Sequence, residues 1–347
     1  MIILCFILSS CNVLPVFGHL SSLIALHCDT DCFLQCEEGI KLLRIFRLHR
    51  MSLQVCCGNL KGFLSVFFFN QSIIGIFYLY LHSFKKQSKM KKYVLDLKVS
   101  SVERVNARNV LIKLTDEKPL PEMLPGQFVE VRVDGSPSTF LRRPISINFV
   151  DKERNELWLL VATVGEGTRT LARLREGDML NCVLPLGNTF APLASSSERV
   201  LLVGGGVGVA PLLYFGKQIK DAGGSPVFLL GARTAADLAE VSLFEKYGKV
   251  CITTEDGSAG EKGFVTNHSI LSTERFDRIS TCGPKPMMMA VARYAHKASI
   301  PCEASLENMM ACGVGACLCC VEKTTGGNLC VCTEGPVFDT RRLMWGE

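Results

Sequence analysis

The chain is 347 residues long, with 38 Lys and Arg against 33 Asp and Glu, and 48% of its residues are hydrophobic. That length holds two or three domains with real cores. Most of the net charge of +5 comes from residues 1–89, which carry eight basic and four acidic side chains; the rest carry 30 and 29, a balance without the basic stripe that grips nucleic acid.

The first 89 residues differ from the others. Residues 1–26 contain no Lys, Arg, Asp or Glu, and Gly62 to Phe84 is a second uncharged run, long enough to cross a bilayer as a helix. Read literally this is a membrane anchor, and Lys85, Lys86, Lys89, Lys91 and Lys92 would keep the C-terminal body on the cytoplasmic side. Leu8-Ser9-Ser10-Cys11 resembles a lipoprotein cleavage box but lacks a charged n-region before it. The scattered cysteines and the absence of caps or periodicity favour another reading: translation starts at Met90, and 1–89 are upstream sequence from a misassigned start.

From Tyr93 the chain becomes orderly. Six β-rich runs, 93–99, 109–114, 127–133, 145–148, 157–164 and 179–184, are punctuated by turns such as Pro125-Gly126 and Asp134-Gly135. Short strands at this spacing predict a small antiparallel barrel over residues 90–195. From Arg199 the rhythm becomes strand, turn, helix. Apolar runs at 199–203, 226–230, 250–253 and 278–281 alternate with helical stretches, which predicts a parallel α/β domain over 196–300. Residues 301–347 form a third, cysteine-rich unit.

The tail carries the sharpest signal. Ten of the 17 cysteines lie beyond residue 90 and six of those crowd into 312–332, which suggests metal chemistry in a reducing, cytoplasmic setting rather than a disulfide scaffold. Cys312, Cys317, Cys320 and Cys332 have the C-x4-C-x2-C…C spacing of a plant-type [2Fe–2S] site, and the glycines between them let a short loop wrap an inorganic core. Four thiolates also satisfy tetrahedral zinc, although zinc sites more often use two CxxC knuckles. Cys319 and Cys330 are spare thiols, and spacing leaves open Cys319 in place of Cys320, or Cys330 in place of Cys332.

The first α/β strand runs into Gly204-Gly205-Gly206-Val207-Gly208, where glycines before a helix let the backbone approach a pyrophosphate. Two more turns, Thr254-Glu255-Asp256-Gly257 and Cys282-Gly283-Pro284, also close predicted parallel strands, where open α/β sheets bind ligands. In the barrel, Arg142-Arg143-Pro144-Ile145-Ser146 brings guanidinium groups to a strand entry, and Gly165-Glu166-Gly167-Thr168 offers amides at a helix start. Taken singly, these are equally well a basic surface turn and an N-cap at Thr168. In combination they carry more. A nicotinamide yields two electrons as hydride and the cluster takes one, so a converter such as flavin must stand between them. No Ser-His-Asp or Cys-His constellation points to hydrolysis.

Arg142–Ser146, Gly167-Thr168, Gly204–Pro211, Cys282–Met288 and the cysteine tail ending in Gly335-Pro336-Val337-Phe338 resemble, in order and spacing, the electron-transfer subunits of NAD-dependent dihydroorotate dehydrogenases, within the ferredoxin reductase superfamily. The resemblance covers residues 90–347. It implies FAD along Arg143, Pro144, Ile145 and Ser146, along Leu160, Val161 and Ala162, and at Gly167 and Thr168. It implies NAD at Gly204, Gly205, Gly206, Gly208, Cys282, Gly283 and Pro284, and cluster ligation by Cys312, Cys317, Cys320 and Cys332. The implied partner is an FMN-containing catalytic subunit that oxidises dihydroorotate for pyrimidine synthesis, in a heterotetramer with two subunits of each kind. Electrons would pass from that FMN through the cluster and FAD to NAD, with no catalytic side chain in this chain. Two further readings are a flavin and iron–sulfur subunit similar to those of ferredoxin:NADP or sulfide dehydrogenases, and a non-enzymatic zinc-stabilised module. In the former group, as the resemblance has it, an aspartate typically takes the position held here by Cys312, so four cysteines favour the dihydroorotate dehydrogenase reading.

Overall fold

Alternation of apolar and polar side chains builds the first half. In a computed structural model, which describes residues 91–345, strands β1 (Tyr93–Arg104), β2 (Asn109–Thr115), β3 (Phe128–Val131), β4 (Arg143–Asp151), β5 (Glu156–Ala162) and β6 (Met179–Leu186) form a closed antiparallel barrel in the order β1-β2-β5-β4-β3-β6. The expectations for residues 1–89 lie outside the described residues. β1 is long enough to pair with two neighbours: Tyr93–Lys98 with β6, and Lys98–Arg104 with β2 across an irregularity between Val99 and Ser101. Leu97, Val99, Ile112, Leu114, Val129, Val131 and Ile147 are fully buried in the barrel's core. Burying such side chains is the main driving force here, at roughly 1.5–3 kcal/mol each. The six predicted strands all form, with their ends moved by a few residues.

A single short helix, α1 (Glu166–Leu171), lies between β5 and β6. Gly165 is its N-cap, and Thr168, three residues on, closes the turn: Gly165 N–H donates to Thr168 Oγ1 and Thr168 Oγ1 donates to Gly165 O, both at 3.1 Å. Thr168 thus sits in the first turn rather than at the cap.

The second half is a seven-stranded sheet of β7 (Val200–Gly205), β8 (Val227–Ala232), β9 (Lys249–Thr254), β10 (Glu261–Lys262), β11 (Arg278–Cys282), β12 (Cys302–Ser305) and β15 (Val337–Asp339). Their order is β10-β9-β8-β7-β11-β12-β15; β15 is antiparallel to β12, and the other neighbours are parallel. β7 is buried along its whole length, as a central strand covered on both faces must be. Helix α2 (Ala210–Asp221), with Pro211 in its first turn, packs Leu212, Leu213, Phe215 and Ile219 into the core. Helices α3 (Val241–Glu245), α4 (Ile270–Thr273) and α5 (Lys285–Lys297) complete the α/β half.

The sheet continues into the cysteine-rich segment through β12 and β15. Between these strands lie the hairpin β13 (Val321–Thr324) and β14 (Gly327–Cys330) and the helical turn α6 (Val331–Glu334). A separate core joins this segment to the barrel, with Phe128 and Leu186 packing among Leu306, Met310, Val331 and Phe338. Asn188, just past β6, clamps the tail: its Nδ2 donates to Glu334 O (2.9 Å) and Val337 O (2.8 Å), and its Oδ1 accepts from Val337 N (2.9 Å). Among the described residues no helix is long and apolar enough to cross a membrane.

Candidate functional site

Strand order places the glycine-rich turns. The chain proceeds from β7 to β8 on one side of the sheet and returns to β11 on the other, so the topological switch lies between β7 and β11, where open α/β sheets bind ligands at carboxyl ends. Gly204 of β7 is in register with Cys282 of β11, which brings Gly204–Gly208 and Cys282–Pro284 to that point. A Cβ added to Gly208 would lie 2.4 Å from Gly283 Cα, and Gly206 has φ +58°, a conformation other residues rarely adopt. The turn at Thr254–Gly257 closes β9, two strands from the switch, and is tied locally by Asp256, whose Oδ1 accepts from Ser258 N at 2.9 Å. α5 begins just past the Cys282–Pro284 turn, which sets its N-terminus beside β11.

In the barrel, β4 pairs with β5 from Asp151 opposite Glu156 to Ile147 opposite Leu159. Beyond that, Arg143–Ser146 pair with β3 and Leu160–Ala162 with β2, so the two segments part at this end. Gly167 is buried against them: a Cβ there would approach Arg143 Nε at 3.2 Å and Thr139 Cγ2 at 3.0 Å. Arg143, Gly167 and Thr168 therefore share one corner. The neighbouring Arg142 turns away and donates through Nη1 to Glu130 O (3.2 Å) and Asn181 O (3.1 Å), binding β3 to β6.

The cysteine loop winds through Gly313 (φ +65°), Gly315 (φ +83°) and Leu318 (φ +57°), and a non-glycine residue in that conformation marks a constrained loop. Its backbone faces the sulfurs: Val314 N donates to Cys312 Sγ (3.4 Å), Gly315 N to Cys332 Sγ (3.2 Å) and Cys332 N to Cys320 Sγ (3.4 Å). Burial opposes the Cys312 thiolate, but the amides of Val314, Cys317 and Ala316 outweigh it and bring that thiol down to about 6. Burial, with the Cys320 sulfur beside it, pushes Cys332 up to about 12. Backbone amides donating to three of the four sulfurs are the kind of hydrogen bond that an iron–sulfur core draws on. The donor set therefore fits a cluster. Of the four expected ligands Cys320 and Cys332 are buried, Cys312 is half-buried and Cys317 exposed; of the spare thiols Cys319 is exposed and Cys330 half-buried.

Glu130 carries no signal in the sequence. It is wholly buried, neither carboxylate oxygen has a hydrogen-bond partner, and burial raises its carboxyl to about 7 against the pull of Arg142. It stands opposite Pro144 in the β3–β4 register, and a Cβ on Gly313 would meet its Cγ at 2.7 Å. One residue thus touches the cysteine loop from the strand that pairs with the proposed flavin segment.

Residues 307–344 match the iron-sulfur cluster binding domain of dihydroorotate dehydrogenase B, and 202–293 match the oxidoreductase NAD-binding domain. The chain is 43% identical over 225 residues to the dihydroorotate dehydrogenase B (NAD(+)) electron transfer subunit of Caldanaerobacter subterraneus subsp. tengcongensis, covering 64% of this chain and 87% of that one. The chain belongs to this family of electron transfer subunits. A second member, from Shouchella clausii, is 42% identical over 227 residues, covering 63% and 86%. Among solved structures, that of NADH-dependent reduced ferredoxin-NADP oxidoreductase superposes with a TM-score of 0.66 at 30% identity, covering 72% of this chain and 90% of that one. Phthalate dioxygenase reductase, at 19% identity and a TM-score of 0.51 over 67% and 87%, shares the fold. Family membership agrees with the barrel, the α/β sheet and the cysteine tail as the expected ferredoxin-reductase-like architecture.

Proposed function

We propose that this chain carries electrons between a separate FMN-containing dihydroorotate dehydrogenase subunit and NAD, in pyrimidine (UMP) biosynthesis. The observation that carries this reading is Glu130: the cysteine loop and the flavin-binding segment lie against a single strand, β3. Neighbouring strands are about 4.8 Å apart, so β3 stands directly between the cysteine loop and the segment that would hold FAD.

Bound FAD would supply the link between one-electron exchange with a [2Fe–2S] cluster and hydride exchange with NAD. The chain's residues bind and orient. Arg143 would neutralise an FAD phosphate while the amides beyond Gly165 cap it. Gly204–Gly208 and Cys282–Pro284 would admit the NAD pyrophosphate at the switch point, and Cys312, Cys317, Cys320 and Cys332 would hold the iron. Val314 and Leu318 stand exposed on the cysteine loop, an apolar lip suited to docking the catalytic subunit. A cytoplasmic location and an assembly of two subunits of each kind belong to the same proposal.

The test is the visible spectrum of the protein, purified without oxygen, before and after NADH, followed by addition of the catalytic subunit and dihydroorotate. Flavin and iron–sulfur bands that bleach together, and orotate-coupled NAD reduction, are expected. A protein that reduces NADP from ferredoxin but never couples to dihydroorotate would replace this reading with the ferredoxin:NADP one.

A further inference from the structure

The barrel and the nucleotide-binding half meet at a polar pair, buried at Asn148 and half-buried at Glu240, that the proposed electron path does not use. Asn148 lies on β4, two residues beyond Ser146 of the flavin-binding segment, and is wholly buried. Glu240 caps α3 from the other half, with φ +56°, a left-handed conformation unusual for glutamate. Asn148 Nδ2 donates to Glu240 Oε1 at 2.9 Å. The other atom of each group, Asn148 Oδ1 and Glu240 Oε2, is shut from solvent with no hydrogen-bond partner.

Those two orphans are both acceptors if Glu240 is ionised, and leaving two buried acceptors unpaired is costly. A proton on Oε2 removes the conflict. A carboxylic acid and a primary amide are complementary planar groups that can pair through two hydrogen bonds at once, one in each direction. We propose that Glu240 is held as the neutral acid and donates to Asn148 Oδ1, so that acid and amide form a two-point clasp fixing the barrel against the nucleotide-binding half.

The surroundings favour the neutral form. Burial raises the Glu240 carboxyl to about 7, against the Asn148 hydrogen bond and the charge of Lys113, and Glu103 raises it further. Lys113 on β2 is itself paired with Glu103 of β1 at 2.6 Å, which leaves little of its charge for Glu240. Asp237, on the segment before Glu240, pairs with Arg108 at 3.7 Å. A second bridge joins the same two halves nearby, where Asn106 Nδ2 donates to Asp237 O (3.2 Å) and Leu238 O (3.3 Å). Glu240 is thus a positioning residue: Asn148 belongs to the strand that presents the flavin-binding segment, and the clasp sets how that strand faces the nucleotide turn.

The clasp should weaken as pH rises. A carboxyl with a raised folded value binds more protons folded than unfolded, so its stabilisation is complete below the ordinary value of 4.5 and is lost as pH climbs through about 7. Glu240→Gln mimics the neutral acid, since its amide can donate to Asn148 Oδ1 and accept from Nδ2 at any pH. In the full chain with its cofactors, wild type should lose roughly 5 °C in Tm relative to E240Q between pH 5.5 and pH 8.5. E240A, unable to form the clasp, should melt low at both. Parallel wild-type and E240Q curves would overturn the proposal. Infrared spectra in D2O provide a second measurement that needs no E240Q protein: wild type at pH 6 should show a protonated-carboxyl C=O component that shifts in N148A, which sets it apart from the buried Glu130 carboxyl, and that vanishes by pH 9. A carboxyl region at pH 6 that is identical in wild type and N148A would sink the idea. Neither measurement involves the catalytic subunit, so failure here is distinct from failure of the proposed function.

Discussion

Gly208 and Gly283 lie back to back at the switch between β7 and β11, so close that a Cβ on Gly208 would come within 2.5 Å of Gly283 N and 2.4 Å of its Cα. The obstacle is backbone, which cannot swing aside. Gly208→Ala should therefore push the two nucleotide turns apart, destabilising the α/β half by about 2–3 kcal/mol and lowering Tm by several degrees. The KM for NADH should rise roughly tenfold or more. Flavin content should be unchanged, because Arg143 and Gly167 sit in the barrel. An unaltered KM would place the nucleotide elsewhere.

The cysteine loop offers two paired comparisons. Cys320 and Cys332 are buried with a backbone amide donating to each sulfur, while Cys319 is exposed and Cys330 half-buried. Cys320→Ser and Cys332→Ser should each abolish the cluster, whereas Cys319→Ser and Cys330→Ser should keep about two irons per chain. Iron and sulfide analysis decides it. NADH should still reduce the flavin in the cluster-free variants, since the barrel and the nucleotide turns do not depend on the iron.

These contrasts mark where sequence reading stops. Strands β1 to β9 and β11 were legible because their apolar runs and glycine turns are local signals, and the cysteine spacing was legible because ligands must recur within a short loop. The choice between Cys319 and Cys320 was not: adjacent residues point opposite ways, and only the fold decides which sulfur turns inward. Likewise β15 is three residues long, and it becomes a strand because β12 lies beside it. Glu130, Asn188 and Glu240 were invisible for a related reason. Each is an ordinary polar residue whose role comes from a partner far along the chain, Gly313, Val337 or Asn148.

The two arginines of the barrel motif should separate experimentally. Arg143 lies beside Gly167 at the proposed phosphate corner, so Arg143→Ala should remove a charge-assisted contact of about 1.5–3 kcal/mol and weaken FAD retention roughly 10- to 150-fold. Arg142 instead ties β3 to β6 through Glu130 O and Asn181 O. Arg142→Ala should lower Tm yet leave FAD affinity of the folded protein near wild type. Equal FAD loss in both variants would show that Arg142, too, serves the cofactor.

Gly313 tests the contact between the cysteine loop and the barrel. Its φ of +65° alone makes alanine unfavourable by about 1–2 kcal/mol, and the new Cβ would meet Glu130 Cγ at 2.7 Å and Oε1 at 3.2 Å. Gly313→Ala should therefore cost more than backbone strain, with lower Tm and incomplete iron loading. Glu130→Ala removes the obstructing side chain and a buried carboxyl whose two oxygens are unpaired, so it should be neutral or stabilising by itself. In the double variant the collision is gone but the strain remains, so the two changes should be non-additive by about 1 kcal/mol or more, in the direction of rescue. Strict additivity would mean that the loop moves freely over β3, and the proposed link between the cysteine loop and the segment expected to hold FAD would lose its structural basis.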